Sequence, residues 1–424
     1  VADTRDTAAP PPTRGPVRGG ERTLAPDLAR GAMLLLIALA HSPTMFVTVA
    51  PAVDLTPHGL ERAYNVFMFT FVHARALPLF AIMFGYGLVQ LTLRQDAATG
   101  SPDAARRVLL RRSAWLLVFG AVHGCLLFSG DILGAYGIMG IVFTLVLLRR
   151  GDRVHRIAVW YMGFAAVYIA VLAALSAWGL ATGSGTAAVA TTPFPSAEAP
   201  DYLSSVLARL GEWPMSTLVL SAMILTAWLG AWAARHRILE EPAKHRTLLR
   251  RSAAVGLGVS VAGGLPMGLM SAGWLSADAA TAALLKRMYE VSGVFGGIGY
   301  VALFGLIALA VSRGGRAPRS NPVVTALSAL GQRSMSGYLF QSVAWLVLGA
   351  PFALDLVRGA GSPTFAAAGL AVTVWLTTLA CAYLMHRRSY RGPAEILLRR
   401  LSYGPRPRAA GSPTAAPSTG ADRG

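Results

Sequence analysis

The chain has 424 residues, 54% of them hydrophobic and only 14% charged, with a mean hydropathy of +0.51. So apolar a composition excludes a soluble domain of this length, and the repeated apolar runs of about 20 residues match a bilayer's hydrocarbon thickness. The runs are continuous, which excludes the alternating strands of a β-barrel. The formal net charge of +18 sits in short clusters between them, a pattern of membrane topology rather than of a nucleic-acid surface.

Residues 1–26 are rich in Pro, Arg, Gly and Thr and read as a disordered cytoplasmic tail, with no cleavable signal peptide expected. Apolar spans are then expected near 28–49, 64–93, 109–128, 130–149, 155–181, 214–234, 247–272, 291–312, 334–357 and 363–386. The fold class is therefore all-α: a polytopic helical bundle over residues 27–386 with about ten transmembrane helices. Little more than Ser129-Gly130-Asp131 joins the third and fourth spans, so they form a tight antiparallel hairpin. Residues 387–404 alternate leucines with arginines and predict a short amphipathic helix in the interface. A Pro/Ala/Ser/Gly tail fills 405–424. The largest external segment is 182–213, and its part from Tyr202 to Trp213 is a candidate lid helix.

With the amino terminus in the cytoplasm, Lys and Arg alternate between rich inner and poor outer segments at about six to one, as the positive-inside rule demands. Both termini are then cytoplasmic. Arg111, Arg112, Arg250 and Arg251 read as anchors that snorkel to lipid phosphates.

This topology brings chemistry-bearing side chains to one depth. Arg30 and His41 lie eleven residues apart on nearly the same helix face, about 16 Å apart along the axis. His41, His73, Arg75, His123 and Asp131 come from the first four spans and share the outer half of the membrane, while Arg30 stands at the inner end. Ionisable groups at that depth are costly unless paired, hydrated or used. One such residue is as often a structural link between helices as a site, and Arg75 paired with Asp131 would be such a link. Five together favour a site or a hydrated pathway.

Other signals are few. The stretch Leu-Leu-Arg-Arg-Ser-Ala recurs at 109–114 and 248–253, which shared anchoring accounts for. Cys125 and Cys381 fall in apolar segments without a motif. No metal-ligand spacing, phosphate loop or nucleophile elbow occurs, so no metal is expected. The glycines of 293–299 predict close helix packing.

Four stretches together resemble the bacterial YeiB-like family, whose members carry the "domain of unknown function 418". They are residues 27–31 with the apolar run after them, 75–85, 123–136, and the pair 331–342 with 392–404. The family-like C-terminal region covers about 230–404. On this resemblance Tyr338 and Gln341 are expected beside the substrate. The spacing Arg30 then His41 is also similar to that of membrane acyltransferases that modify cell-surface sugars.

That wider resemblance implies an acyl-CoA donor (acetyl-CoA or another) on the cytoplasmic side and a glycan or lipid acceptor in the cell envelope. Arg30 would hold the donor's phosphates and His41 would act as base or transient acyl carrier. His123 with Asp131 would be a second base and its orienter, a use that suits imidazole at physiological pH. His73 and Arg75 would bind substrate. A small-solute transporter with a His/Arg/Asp relay is the alternative. The partners implied are the lipid bilayer and that acceptor, not nucleic acid. Arginine-dominated basic usage points to a bacterial plasma membrane.

Overall fold

The computed structural model describes residues 23–313 and 321–403; the expectations for 1–22 and 404–424 lie outside them. In chain order the helices are α1 (Leu24–His41), α2 (Leu60–Phe67), α3 (Ala76–Thr99), α4 (Pro102–Leu126), α5 (Leu133–Val142), α6 (Asp152–Thr182), α7 (Pro195–Glu198) and α8 (Tyr202–Ser221). They continue with α9 (Ile224–Arg235), α10 (Arg246–Ser271), α11 (Ala279–Arg313), α12 (Pro322–Gly331), α13 (Ser334–Gly349), α14 (Pro363–Arg387) and α15 (Pro393–Tyr403). The first helix begins three residues before Asp27, inside the stretch expected as tail.

Helix starts follow from local chemistry. Ser101, Asn321 and Ser362 each precede a proline, and each side-chain oxygen accepts a hydrogen bond from an orphan amide of the first turn. Asp201 does the same for α8 through the Ser204 amide, and Asp278 for α11 through Ala280 and Thr281.

Among the described residues seven helical segments are long and apolar enough to cross a membrane, or eight if the bent pair α8–α9 is one span. Two of the ten expected spans are shorter. The helix from Leu133 to Leu147, 15 residues that include a π-helical end, rises about 22 Å. The span expected at 334–357 is the 16-residue α13, and a turn at Gln332-Arg333 separates it from α12. α8 and α9 meet at 44°, with Ala222 and Met223 between them.

Small residues set the packing. A Cβ at Gly85 would fall 1.8 Å from the Ala227 carbonyl oxygen of α9, and one at Gly230 would fall 2.0 Å from the Ile82 oxygen of α3. α1 and α12 meet in the same reciprocal way at Gly31 and Gly331. α4 and α5 form the expected hairpin, touching at Gly120 and Gly134. The glycines of α11 also serve close approach: Gly293 abuts the Ala74 carbonyl and Gly297 the Leu79 amide. α6 turns most of its surface outward, with Trp160, Phe164 and Trp178 exposed, as a lipid-facing helix does.

The segment 182–213 is docked. Val49–Ala50 and Thr192–Pro193 pair antiparallel, and Glu212 accepts hydrogen bonds from Ser129 Oγ and from the amide and hydroxyl of Ser196. Residues Tyr202 to Trp213 form the first half of α8, and Trp213 seats its indole against Gly124 and Gly134. α15 packs along α4 and the start of α13. There Glu395 accepts from the Met335 and Ser336 amides at 2.9 and 3.1 Å, which caps α13 from a distant part of the chain.

Candidate functional site

His123 lies in the last turn of α4, and the short loop to α5 returns Asp131 beside it. His123 Nδ1 and Asp131 Oδ1 are 2.8 Å apart, with the two side chains 2% and 0% exposed. Asp131 Oδ2 accepts from the Gly134 amide at 2.6 Å. A carboxylate only accepts, so it fixes the Nδ1–H tautomer and leaves Nε2 as an acceptor. That nitrogen meets Ser342 Oγ of α13 at 2.8 Å. The result is a hydroxyl, an imidazole and a carboxylate in line, buried among helices.

Tyr338 and Gln341 border this line. The Tyr338 ring centroid is 5.0 Å from that of His123, and Gln341 Nε2 donates to the Leu34 carbonyl of α1 at 3.3 Å. The Tyr136 hydroxyl and the Gln341 Oε1 are buried without a hydrogen-bond partner, and the Tyr338 hydroxyl is buried near the Ile132 backbone. Unpartnered buried polar atoms are rare and call for an explanation. Here two of them lie near one hydrogen-bonded line. Tyr136 lies within electrostatic range of Arg30, and Tyr338 within range of Tyr136 and Asp131, so polar groups continue from Arg30 to His123. Arg30 itself donates to the Met83 carbonyl at 3.0 Å, at the opposite end of α1 from His41.

His41 packs its ring on Phe128, with centroids 4.6 Å apart, and lies within electrostatic range of His123 and His73. Among the described residues its ring makes no hydrogen bond, so it adjoins the relay without joining it. Phe128 also lines a cleft of about 70 Å³ with Thr44, Phe194, Arg209, Trp345 and Leu346. Trp345 and Leu346 stand one helical turn beyond Ser342 on α13.

Arg75 goes elsewhere. The helix breaks at 73–75, where Ala74 takes φ +60°, and the break frees carbonyls from helical bonding. Arg75 Nη1 donates to the His73 carbonyl at 2.8 Å, and Tyr300 Oη donates to that of Phe71 at 2.9 Å. Arg75 also donates to Ser260 Oγ and to the Ser260 carbonyl, and its guanidinium lies 5.0 Å from the Tyr289 ring centroid. It satisfies a broken span rather than pairing with Asp131, as non-helical backbone at membrane depth requires. His73, beside it, is buried near the Ala52 backbone.

Sequence reasoning missed Ser342 as a member of the line. Of the four expected anchors, Arg111, Arg250 and Arg251 are exposed, whereas Arg112 is half-buried near Tyr403 of α15 and Arg30. A second missed group lies at the Arg30 end of α3: Glu240, in the turn before α10, accepts from Tyr86 Oη and Gln90 Nε2. Burial pushes its carboxyl up to about 7. Asp278, by contrast, is held below the usual carboxylate range by the hydrogen bonds that start α11. Among the described residues no three His, Cys, Asp or Glu side chains converge as metal ligands.

Residues 233–405 match the family described as "Protein of unknown function (DUF418)". The "Uncharacterized protein YeiB" of Escherichia coli (strain K12) is 25% identical over 409 residues, covering 90% of this chain and 96% of that protein. The "Uncharacterized protein YxaH" of Bacillus subtilis (strain 168) is 23% identical over 422 residues, covering 92% and 96%. A third relative, an "Uncharacterized 39.9 kDa protein in amylase 3'region" of Bacillus acidopullulyticus, is 32% identical over 127 residues, or 30% of this chain. The chain thus carries a DUF418 match near its C-terminus and is similar to YeiB along nine tenths of its length, and among the described residues seven of its helical segments are long and apolar enough to cross a membrane.

Proposed function

We propose that this protein is a multi-pass acyltransferase of a bacterial plasma membrane, with both termini cytoplasmic and α5 and α13 completing ten spans. It moves an acyl group from cytoplasmic acyl-CoA to a hydroxyl acceptor, a glycan or lipid of the cell envelope. The observation that carries this reading is the buried line of Asp131, His123 and Ser342, an imidazole held in one tautomer with its basic nitrogen on a hydroxyl. His123 takes a hydroxyl proton as the thioester is attacked and returns it to the departing thiolate. Asp131 holds the ring and stabilises the imidazolium. Arg30, at the other end of the polar path, would hold donor phosphates, since guanidinium suits them. The acceptor would enter by the cleft above Ser342. Tyr338 and Gln341 would contact substrate, and His41, packed on Phe128 under the cleft, would face the acceptor.

The test uses the full chain in nanodiscs with radiolabelled acetyl-CoA and a crude envelope extract. Wild type should bind the thioester and release CoA when the extract is added. Arg30→Ala should weaken binding, and His123→Ala should abolish release while keeping binding. Wild type that neither binds nor turns over the thioester would end this reading.

Two features favour a second reading. The 44° bend between α8 and α9 and the break at Ala74 are interrupted helices of the kind that line solute paths. In that case the same relay moves protons with a small solute, and proteoliposome uptake would follow an imposed pH gradient.

A further inference from the structure

Resting on the acyl-transfer reading, we propose that Ser342 is the nucleophile and carries the acyl group as a serine ester between donor and acceptor. The argument begins with the one nitrogen of His123 able to act as base. Nδ1 is committed to Asp131, so only Nε2 remains, and Ser342 Oγ occupies it at 2.8 Å. Ser342 is 2% exposed and sits mid-helix in α13, and among the described residues no other hydroxyl meets this nitrogen. Whatever proton His123 takes first is therefore that of Ser342.

A serine in a helix often donates to the carbonyl four residues back, and the Tyr338 oxygen is indeed available. It lies at 3.3 Å, half an ångström farther than the imidazole nitrogen, and only the imidazole can accept the proton outright. The surroundings fit an acyl carrier. The Tyr338 hydroxyl, buried, belongs to the preceding turn of the same helix. The cleft bounded by Trp345 and Leu346 opens one turn beyond. Acyl transfer through this oxygen requires the donor to reach it from the Arg30 side and the acceptor from this cleft, at different times.

In the first step the Ser342 hydroxyl proton passes to His123 Nε2 and Oγ bonds to the thioester carbonyl carbon. The carbon–sulfur bond breaks, and the thiolate takes the proton from His123 and leaves as free CoA. In the second step an acceptor hydroxyl gives its proton to His123 and its oxygen attacks the serine ester. Ser342 Oγ leaves and recovers the proton. Both steps are acyl exchanges with no change of oxidation state.

The full chain in nanodiscs is incubated with radiolabelled acetyl-CoA without acceptor and quenched in acid, and the labelled peptide is mapped by mass spectrometry. A fluorophosphonate, which labels activated serines without any thioester, is applied in parallel. Wild type should retain one base-labile acetyl group at Ser342 and react with the fluorophosphonate there. His123→Ala should lose at least 100-fold in both labelling rates, a typical general-base contribution. Ser342→Ala should bind acetyl-CoA unlabelled, and Ser342→Cys should give a hydroxylamine-labile thioester at the same position. Should Ser342→Ala transfer acetyl to acceptor at the wild-type rate, the nucleophile is overturned while the acyltransferase reading stands. Wild type that ignores acetyl-CoA yet is fluorophosphonate-labelled at Ser342 keeps the nucleophile and discards the donor. Label from neither reagent overturns the inference.

Discussion

Gly120 and Gly163 are both mid-helix glycines, and alanine at the two positions should have opposite effects. At Gly120 an added Cβ would lie 2.1 Å from the Gly134 amide nitrogen, 2.4 Å from its Cα and 2.6 Å from Asp131 Oδ2. Ordinary contact begins near 3.4 Å, so α5 must retreat by about 1 Å, and close-packed interiors resist such a shift. Overpacking of this kind costs about 1–3 kcal/mol, against a helix-propensity gain of up to ~1 kcal/mol for replacing glycine. Gly120→Ala should therefore lose about 1–2 kcal/mol, and because Asp131 is among the atoms displaced, it should also disturb the His123 relay. At Gly163 nothing lies within 4 Å of the added carbon, so only the propensity gain remains. Thermal unfolding of the detergent-solubilised protein, followed by loss of the monodisperse peak, should place Gly120→Ala several degrees below Gly163→Ala, at roughly 2 °C per kcal/mol. Equal midpoints for the two variants would refute the claim that glycine at 120 is there to let α4 and α5 touch.

Arg75→Lys should cost about 2–4 kcal/mol, because an ammonium cannot reach the His73 carbonyl, Ser260 Oγ and the Ser260 carbonyl together; an unchanged midpoint would show that the break at Ala74 does not need it. Glu395→Ala should lower stability by about 1–2 kcal/mol by leaving the Met335 and Ser336 amides without an acceptor, with Glu395→Gln intermediate, as unfolding midpoints would show. For Glu240 the folded carboxyl titrates near 7 against a reference of 4.5, so between those values the folded chain holds the proton more tightly than the unfolded one. The stability it contributes is greatest below pH 4.5 and falls as pH rises to 7. Allowing for partial exposure, the fall is about 1 kcal/mol. The difference in midpoint between wild type and Glu240→Gln, measured from pH 5 to 8, should shrink with rising pH, and a constant difference would contradict the burial argument.

Much of this arrangement is legible in sequence for definite reasons. His123 and Asp131 are eight residues apart across a hairpin too short to separate them, so their meeting is a local consequence of helix geometry. The glycines of α11 announce close approach because small residues in an apolar helix have few other uses. Arg75 is different: shared depth with Asp131 gave no azimuth, and the groups it serves lie 185 and 217 residues away on α10 and α11. Ser342 carries no signal of its own, since a mid-helix serine that bonds its own backbone looks the same as one aimed at an imidazole. The hydropathy run also passes smoothly over the interruption at Ala222-Met223. That is why the expected span near 214–234 corresponds to a bent pair, while the one near 334–357 ends early, as α13 stops at Gly349.

The boundary of the DUF418 match at residue 233 separates Ser342, Tyr338 and Gln341 from His123 and Asp131. A region recognisable by descent is here not a unit of chemistry, for each side of the boundary holds only part of the hydrogen-bonded line. Inheritance therefore acts on the pair as one object. A gene that kept the C-terminal portion alone would keep the Ser342 hydroxyl without the imidazole it meets, and a substitution at Asp131 would loosen that imidazole's contact with a serine more than two hundred positions away. Relatives that share only the C-terminal region are expected to have lost this relay or rebuilt it from another helix.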